Sequence, residues 1–113
     1  MNIEANRPQP ANGNRKAIVL DDQRRVAIRR GRSIGLGARE AVILRSLLNA
    51  DGRVVAAESL ARDAWGSVPP DAVRRVRNAM GRLRSKLGPP DVIETIVGEG
   101  YRLAMEERRA PPS

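Results

Sequence analysis

The 113-residue chain contains no cysteine and no histidine. Without thiols it can form neither a disulfide nor a cysteine-based zinc site, and without imidazole it lacks the commonest general base and metal ligand. Its paired acids, Asp21-Asp22 and Glu106-Glu107, fall in a predicted turn and in the predicted tail, without basic catalytic partners. We therefore expect no enzymatic activity, no cofactor and no bound metal.

Aromatic residues and long apolar runs are also scarce. There is no phenylalanine, so Leu, Val, Ile and Ala must fill the core, and we expect the single Trp65 and Tyr101 to act as core anchors. No apolar run approaches the ~20 residues that span a bilayer, and residues 1–9 lack the apolar centre of a signal peptide. The expectation is a cytoplasmic protein that does not bind membranes.

Positive charge, in contrast, is abundant. The chain has 21 Lys and Arg residues against 13 acids, a net charge of +8. Such a field favours a polyanionic partner. The alternative is that the arginine content reflects genome composition and the charge serves only solubility, so the position of the cations must decide.

The length fits one domain. Residues 1–15 are rich in Pro and Asn and nearly free of apolar side chains, which predicts a flexible arm, and the charged, Pro-rich residues 106–113 predict a flexible tail. Between them, residues 16–105 form the predicted folded unit.

Three short apolar runs open this unit, and their spacing predicts a small antiparallel sheet with a charged turn at residues 29–32. A first helix follows, with Gly37 as N-cap and Asp51-Gly52 as its stop, and then a second helix over Glu58–Trp65 that Gly66 ends. Two extended runs, 92–97 and 101–105, surround Gly98-Glu99-Gly100 and predict a hairpin.

The third predicted helix begins near Pro70 or Asp71 and runs to Leu87. A helical wheel places one stripe against the core, formed by Val73, Val76, Met80, Leu83 and Leu87. The opposite face carries Arg74, Asn78, Gly81, Arg82 and Ser85. Six cations and no acid lie between positions 74 and 86, namely Arg74, Arg75, Arg77, Arg82, Arg84 and Lys86.

These cations repel one another, and nothing within the segment neutralises them, whereas an external anion would. The major groove of B-DNA is ~12 Å wide and admits one helix, where Arg can bond guanine and Asn can bond adenine. Arg74, Asn78 and Arg82 are the predicted base readers, and a close approach to DNA would account for Gly81 on the polar face. The alternative is an ordinary solvated face of an amphipathic helix.

From about residue 17 to 105 the chain resembles the OmpR/PhoB-type winged-helix effector domains of bacterial response regulators. The resemblance rests on Leu36-Gly37-Ala38-Arg39-Glu40, Gly52-Arg53-Val54-Val55, Trp65-Gly66, Arg82-Leu83-Arg84-Ser85-Lys86-Leu87 and Ile93-Glu94-Thr95-Ile96-Val97-Gly98-Glu99-Gly100-Tyr101-Arg102-Leu103. It implies an α+β winged helix-turn-helix: a four-stranded antiparallel sheet, three helices, the third in the major groove, and a C-terminal hairpin wing on the neighbouring minor groove or backbone.

The resemblance also assigns residues. It implies base and phosphate contacts at Arg74, Arg75, Asn78, Arg82 and Arg84, and a backbone contact from the wing at Thr95; to these the charge of the same surfaces adds Arg77, Lys86 and Arg102. In the family the loop before the third helix, here with Ser67, Val68, Pro69 and Pro70, can touch RNA polymerase or its sigma subunit. The alternative is a connector shaped only to start that helix.

Two departures concern the wing and the first helix. Val97 stands where many members place an arginine, and Glu99 adds a negative charge near the tip, so we expect little from the wing. Gly37 replaces the usual Ser or Thr cap at a small cost in stability. Residues 18–22 resemble the start of a phosphorylatable receiver, but the rest of a receiver is absent from this chain and a turn is the better interpretation.

Two functional hypotheses remain. The first is a transcriptional regulator that binds double-stranded promoter DNA sequence-specifically with helix 71–87, as a tandem or dimer, because one domain specifies only a short site. The second is a winged-helix interaction module that docks on RNA polymerase, sigma or another regulator and has weak, incidental DNA affinity. DNA binding that survives physiological salt favours the first.

Overall fold

The computed structural model describes residues 18–104, so the predicted arm 1–15 and tail 106–113 lie outside the described residues. The elements, in chain order, are β1 Ile18–Asp21, β2 Val26–Arg29, β3 Arg32–Gly35, α1 Ala38–Ala50, α2 Ala57–Trp65, α3 Ala72–Leu87, β4 Ile93–Ile96 and β5 Gly100–Leu103. The predicted order of sheet, three helices and hairpin is confirmed.

The N-terminal sheet is antiparallel, in the order β1-β2-β3. Within residues 18–104 three strands precede α1, one fewer than the resemblance implies. The turn between β2 and β3 is also tighter than the predicted charged turn at 29–32, because Arg29 and Arg32 pair with each other in the ladder. Arg30 and Gly31 alone make the turn, with φ of 53° and 80°, and such left-handed pairs match the twist of the flanking strands.

Arg29 is the largest correction to the sequence-based expectation, because it is only 1% exposed. It lies on the inward face of β2 and donates to the carbonyl oxygens of Leu87 at 2.9 Å, Gly88 at 2.6 Å and Pro90 at 2.5 Å. The last carbonyls of a helix lack intrahelical donors and form the negative end of its dipole. A buried guanidinium is therefore compensated there, and the sheet is tied to the end of α3.

Helix α1 begins and ends where the sequence predicts. Gly37 is the N-cap, and its backbone N–H donates to the carboxylate of Glu40 at 2.8 Å. Asp51 and Gly52 end the helix with φ of 55° and 92°. Helix α2 starts one residue earlier than predicted, at Ala57, and Gly66 ends it with φ 79°.

The core is aliphatic and lies where the three helices meet the two sheets. Tyr101 is buried and Trp65 is partly buried against the core, which confirms both as core anchors. The hairpin is joined to the α1–α2 link by two hydrogen bonds between Val55 and Tyr101, at 2.7 and 2.9 Å. Gly100 makes this approach possible, because a Cβ there would lie 2.1 Å from the carbonyl oxygen of Val55.

Candidate nucleic-acid interface

Helix α3 buries one face, formed by Ala72, Val76, Ala79, Met80, Leu83 and Leu87. This confirms the predicted stripe except at Val73, which is 47% exposed. Val73 lies in the first turn at the edge of the buried face, beside a groove shared with Ile96 and Val97 of the hairpin. The packed face is thus rotated towards the two alanines, because α1 and α2 cover that side of the helix.

The outermost stripe of α3 faces away from the core. It consists of Arg74, Asn78, Gly81 and Ser85, and all four residues are exposed. The Arg74 side chain is 67% exposed, and a Cβ on Gly81 would meet no atom within 4 Å. The structure therefore offers no packing reason for the glycine, and the polar groups of the stripe are open to a partner.

One side of α3, which we term the α1 flank, carries Arg75, Arg82 and Lys86. Two of these cations bind Glu40 of α1: Lys86 Nζ at 2.6 Å and Arg82 Nε at 3.2 Å. The Glu40 side chain is only 6% exposed. Burial by itself raises the pKa of Glu40, but hydrogen bonds from Lys86, Gly37 and Arg82 outweigh it and lower the pKa below 4.5.

Asp71 supplies the second acid, at the N-terminal end of α3. Its carboxylate accepts from Arg75 at 2.8 Å and from Arg74 at 3.0 Å. The hydrogen bond from Arg74, followed by that from Arg75, lowers the pKa of Asp71. Acids outside the segment 74–86 therefore reach four of its cations, a source of neutralisation that the sequence analysis did not include.

The opposite side, which we term the wing flank, carries Arg77 and Arg84 and meets the hairpin. Arg84 Nη2 donates to the carbonyl oxygen of Ile93 at 2.9 Å and to Thr95 Oγ1 at 2.8 Å. Arg77 has no ion-pair partner among residues 18–104 and lines the groove beside Thr95. The wing flank thus holds its cations with neutral oxygens or leaves them open, whereas the α1 flank uses carboxylates.

Residues 31–103 match the family described as "Transcriptional regulatory protein, C terminal". The chain belongs to this family. It is 38% identical over 96 residues to the transcriptional regulatory protein CutR of Streptomyces coelicolor, covering 85% of this chain and 44% of CutR. It is 34% identical over 106 residues to the DNA-binding dual master transcriptional regulator RpaA of Synechocystis, covering 88% and 44%. The chain thus spans less than half the length of the curated relatives it matches.

The fold comparison agrees. The crystal structure of the DNA-binding domain of CpxR from E. coli superposes with a TM-score of 0.69 and 26% identity, over 78% of this chain and 90% of that one. The chain is an OmpR/PhoB-type winged-helix domain. The predicted hairpin β4–β5 is its wing, and α3, the third helix of the domain, is the second helix of its helix-turn-helix motif.

The wing of this winged-helix domain has two different faces. Thr95 pairs in register with Tyr101 on the face towards α3, where it meets Arg84. Arg102 lies on the other face and binds Glu94 at 2.6 Å. The structure therefore brings Thr95, but not Arg102, to the predicted recognition helix.

The tip of the wing and the loop before α3 are both open. Val97 is 91% exposed and Val68, in the loop, is 41% exposed. The carbonyl oxygen of Pro69 accepts from the N–H of Ala72 at 2.9 Å, so the loop also helps to start α3. Within residues 18–104 no group of acidic side chains is arranged to hold a metal ion, and no helix there has the length and apolarity to cross a membrane.

Two features of the structure were missed by the sequence analysis. The burial of Arg29 was missed because the segment Arg29-Arg30-Gly31-Arg32 resembles a charged surface turn. The contacts of Glu40 were missed because its partners lie 42 and 46 residues further along the chain. A signal was present, since Glu in the first turn is expected to cap a helix, but capping alone does not indicate an ion pair to α3.

Proposed function

We propose that this domain binds double-stranded promoter DNA sequence-specifically, with α3 in the major groove, and thereby regulates transcription. The observation that carries the proposal is the outermost stripe of α3, in which Arg74, Asn78 and Ser85 are exposed between two flanks of cations. Membership of a family of transcriptional regulatory domains and similarity to proteins named as DNA-binding support it.

Three residues are the proposed base readers. Arg74 and Asn78 lie on the outermost stripe, and Arg82 lies on the α1 flank. Glu40 accepts from Nε of Arg82, whereas a guanidinium carries five N–H donors, so donors remain for a base and the carboxylate fixes their direction. Arg82 thus combines a 57% exposed side chain with a buried anchor.

Backbone contacts are proposed from both flanks. On the wing flank they come from Arg77, Arg84 and Thr95, and on the α1 flank from Arg75 and Lys86. Arg102 is also proposed as a backbone contact, from the other face of the wing, where Glu94 binds it. Phosphate contacts fix register and orientation, whereas base contacts carry the sequence information.

The test starts by selecting sites from random duplexes at ~150 mM salt, which measures specificity rather than charge attraction. Affinities of Arg74→Ala, Asn78→Ala and Arg82→Ala are then compared on the selected site and on random DNA. We expect each variant to lose about 1–3 kcal/mol at the selected site and less on random DNA. Arg24→Ala, in the β1–β2 turn, removes the same charge from an 81% exposed side chain and serves as control.

Equal losses on both duplexes would reassign a residue from base reading to phosphate contact. If none of the three variants weakened binding, or if no site were selected, the proposed function would be overturned. Amide shifts on titration with the selected duplex provide an independent readout, and they should concentrate between Arg74 and Lys86.

Partners beyond DNA are a further part of the proposal. The exposed loop Ser67–Pro70 is the proposed contact for RNA polymerase or its sigma subunit, since Val68 presents apolar surface there. Three base-reading side chains specify a short site, so we propose tandem or dimeric binding on repeated half-sites. We propose a cytoplasmic location for the protein, because promoter DNA is its proposed target.

A further inference from the structure

Arg39, in the first turn of α1, is a cation that neither flank of α3 includes. Its guanidinium carbon lies 5.1 Å from the centroid of the Trp65 ring. The residue is exposed, and this ring contact is the one interaction that its side chain makes among residues 18–104. Its neighbour Glu40 points to the C-terminal half of α3 and binds Arg82 and Lys86 instead. The positive charge of Arg39 is therefore not cancelled by an acid in this part of the chain.

The same indole ring contacts a second arginine, and this places Arg39 relative to α3. The guanidinium carbon of Arg75 lies 5.9 Å from the Trp65 centroid. The two guanidinium carbons are thus no more than about 11 Å apart, while phosphates on one strand of B-DNA follow one another every ~3.4 Å along the axis. Two cations at this separation can bind nearby phosphates of one strand.

The two arginines differ in what holds them. Arg75 is bound by Asp71 at 2.8 Å, so part of its charge is cancelled. Among residues 18–104, Arg39 is held only by its cation–π contact with Trp65, which orders the guanidinium while its N–H donors stay available. Trp65 is itself packed against the core, so the ring is a fixed support.

From this geometry we infer that Arg39 is a DNA-phosphate contact, which extends the interface from α3 across Trp65 to the start of α1. The inference rests on the proposed function. Phosphate is the favoured target because Arg39 stands beside the α1 flank, away from the outermost stripe that faces the bases. A planar guanidinium binds phosphate with two parallel N–H donors, and stacking on Trp65 reduces the entropy that such binding costs.

The experiment measures the salt dependence of binding to the selected duplex and to random DNA. The variants are Arg39→Ala, Arg39→Lys, which keeps the charge, and Arg24→Ala as control for the loss of one charge. Loss of one phosphate contact makes the slope of log K against log salt less negative by about 0.9. When the salt falls from 1 M to 0.1 M, the affinity of the variant therefore rises about eight-fold less than the affinity of the wild type. We expect this change for Arg39→Ala on both duplexes, whereas Arg39→Lys and Arg24→Ala keep the slope.

Thermal unfolding of each variant separates this role from packing on Trp65. A purely structural Arg39 would lower the melting temperature of Arg39→Ala and leave the slope unchanged, and that result would overturn the inference. An equal change of slope in Arg39→Ala and Arg24→Ala would also overturn it, because the effect would then come from net charge. If Arg74→Ala, Asn78→Ala or Arg82→Ala weakens binding while Arg39→Ala does not, only this inference fails. If Arg74→Ala, Asn78→Ala and Arg82→Ala are all silent, the proposed function fails.

Discussion

The two flanks of α3 carry cations in different ways. On the α1 flank, Glu40 and Asp71 bind Arg82, Lys86 and Arg75. On the wing flank, Arg84 is held by two neutral oxygens and Arg77 has no acidic partner in the described part of the chain. Counting positive residues along the helix gives the α1 flank three and the wing flank two, so by count alone the α1 flank is the more positive. The two flanks differ in the opposite sense once the acids that other elements place beside these cations are counted as well.

This difference bears on how each flank meets a polyanion. An acid-paired cation attracts phosphate less strongly than an unpaired one, but its side chain is already ordered, which favours directional contacts. A cation held by neutral oxygens keeps its full charge. Under the proposed function the wing flank therefore supplies more of the electrostatic attraction, through Arg77 and Arg84, even though the wing tip carries Val97 and Glu99.

The largest expected effect comes from Gly100→Ala, which displaces the wing that supports the wing flank of α3. The residue has φ 150°, and an added Cβ would lie 2.1 Å from the Val55 carbonyl oxygen. Backbone strain and overpacking together should lower the free energy of unfolding by about 3 kcal/mol or more. Urea denaturation measures the change.

The control for Gly100→Ala is Gly98→Ala, in the turn between β4 and β5. Gly98 also has positive φ, at 80°, but nothing lies within 4 Å of its added Cβ. Gly98→Ala should lower the free energy of unfolding by about 1–2 kcal/mol, through backbone strain alone. Similar losses for the two variants would show that the approach of the wing to Val55 does not hold it in place.

The next largest effect is expected for Glu40→Gln, which removes the carboxylate that binds two cations of the α1 flank. An amide oxygen can still accept from Gly37, but the ion pairs to Arg82 and Lys86 are lost, so we expect about 2 kcal/mol of destabilisation at neutral pH. Because folding lowers the pKa of Glu40 from 4.5, its contribution is complete above pH 4.5 and declines as the pH falls through the folded-state pKa. The stability gap between wild type and variant should therefore narrow below about pH 4.5.

Thr95→Val is the matched change on the wing flank. It removes the hydroxyl that accepts from Arg84 and introduces no titrating group. A loss of about 1 kcal/mol, independent of pH, is expected. A gap for Glu40→Gln that stayed constant down to pH 3 would contradict the ionised pair on the α1 flank.

The smallest effect is expected for Gly81→Ala, on the outermost stripe between the two flanks. In a helix interior alanine is favoured by up to about 1 kcal/mol, and the site has room for a Cβ. We expect higher thermal stability together with weaker binding to the selected duplex, because the methyl group would stand between α3 and the bases. Unchanged affinity would place the closest approach of DNA on a flank rather than on this stripe.

Much of this protein follows from local sequence. Gly37, Asp51 and Gly66 mark helix ends, and these were predicted because caps depend on residues a few positions apart. Helix periodicity likewise predicted which side of α3 is polar, and hence Arg74 and Asn78 on its outermost stripe. Val73 was misplaced since periodicity gives the direction of a side chain, but not how far the neighbouring elements cover it.

The sequence by itself determined the order of the elements, the helix ends and the basic face of α3, because each depends on neighbours within one or two turns. Only the tertiary structure decided which groups bind those charged side chains. Arg29 reaches carbonyls about 60 residues away, Glu40 joins α1 to α3, and Arg39 and Arg75 share one indole ring. Electrostatic partners are set by distance in space and by burial, and neither can be read from the spacing of residues along a chain.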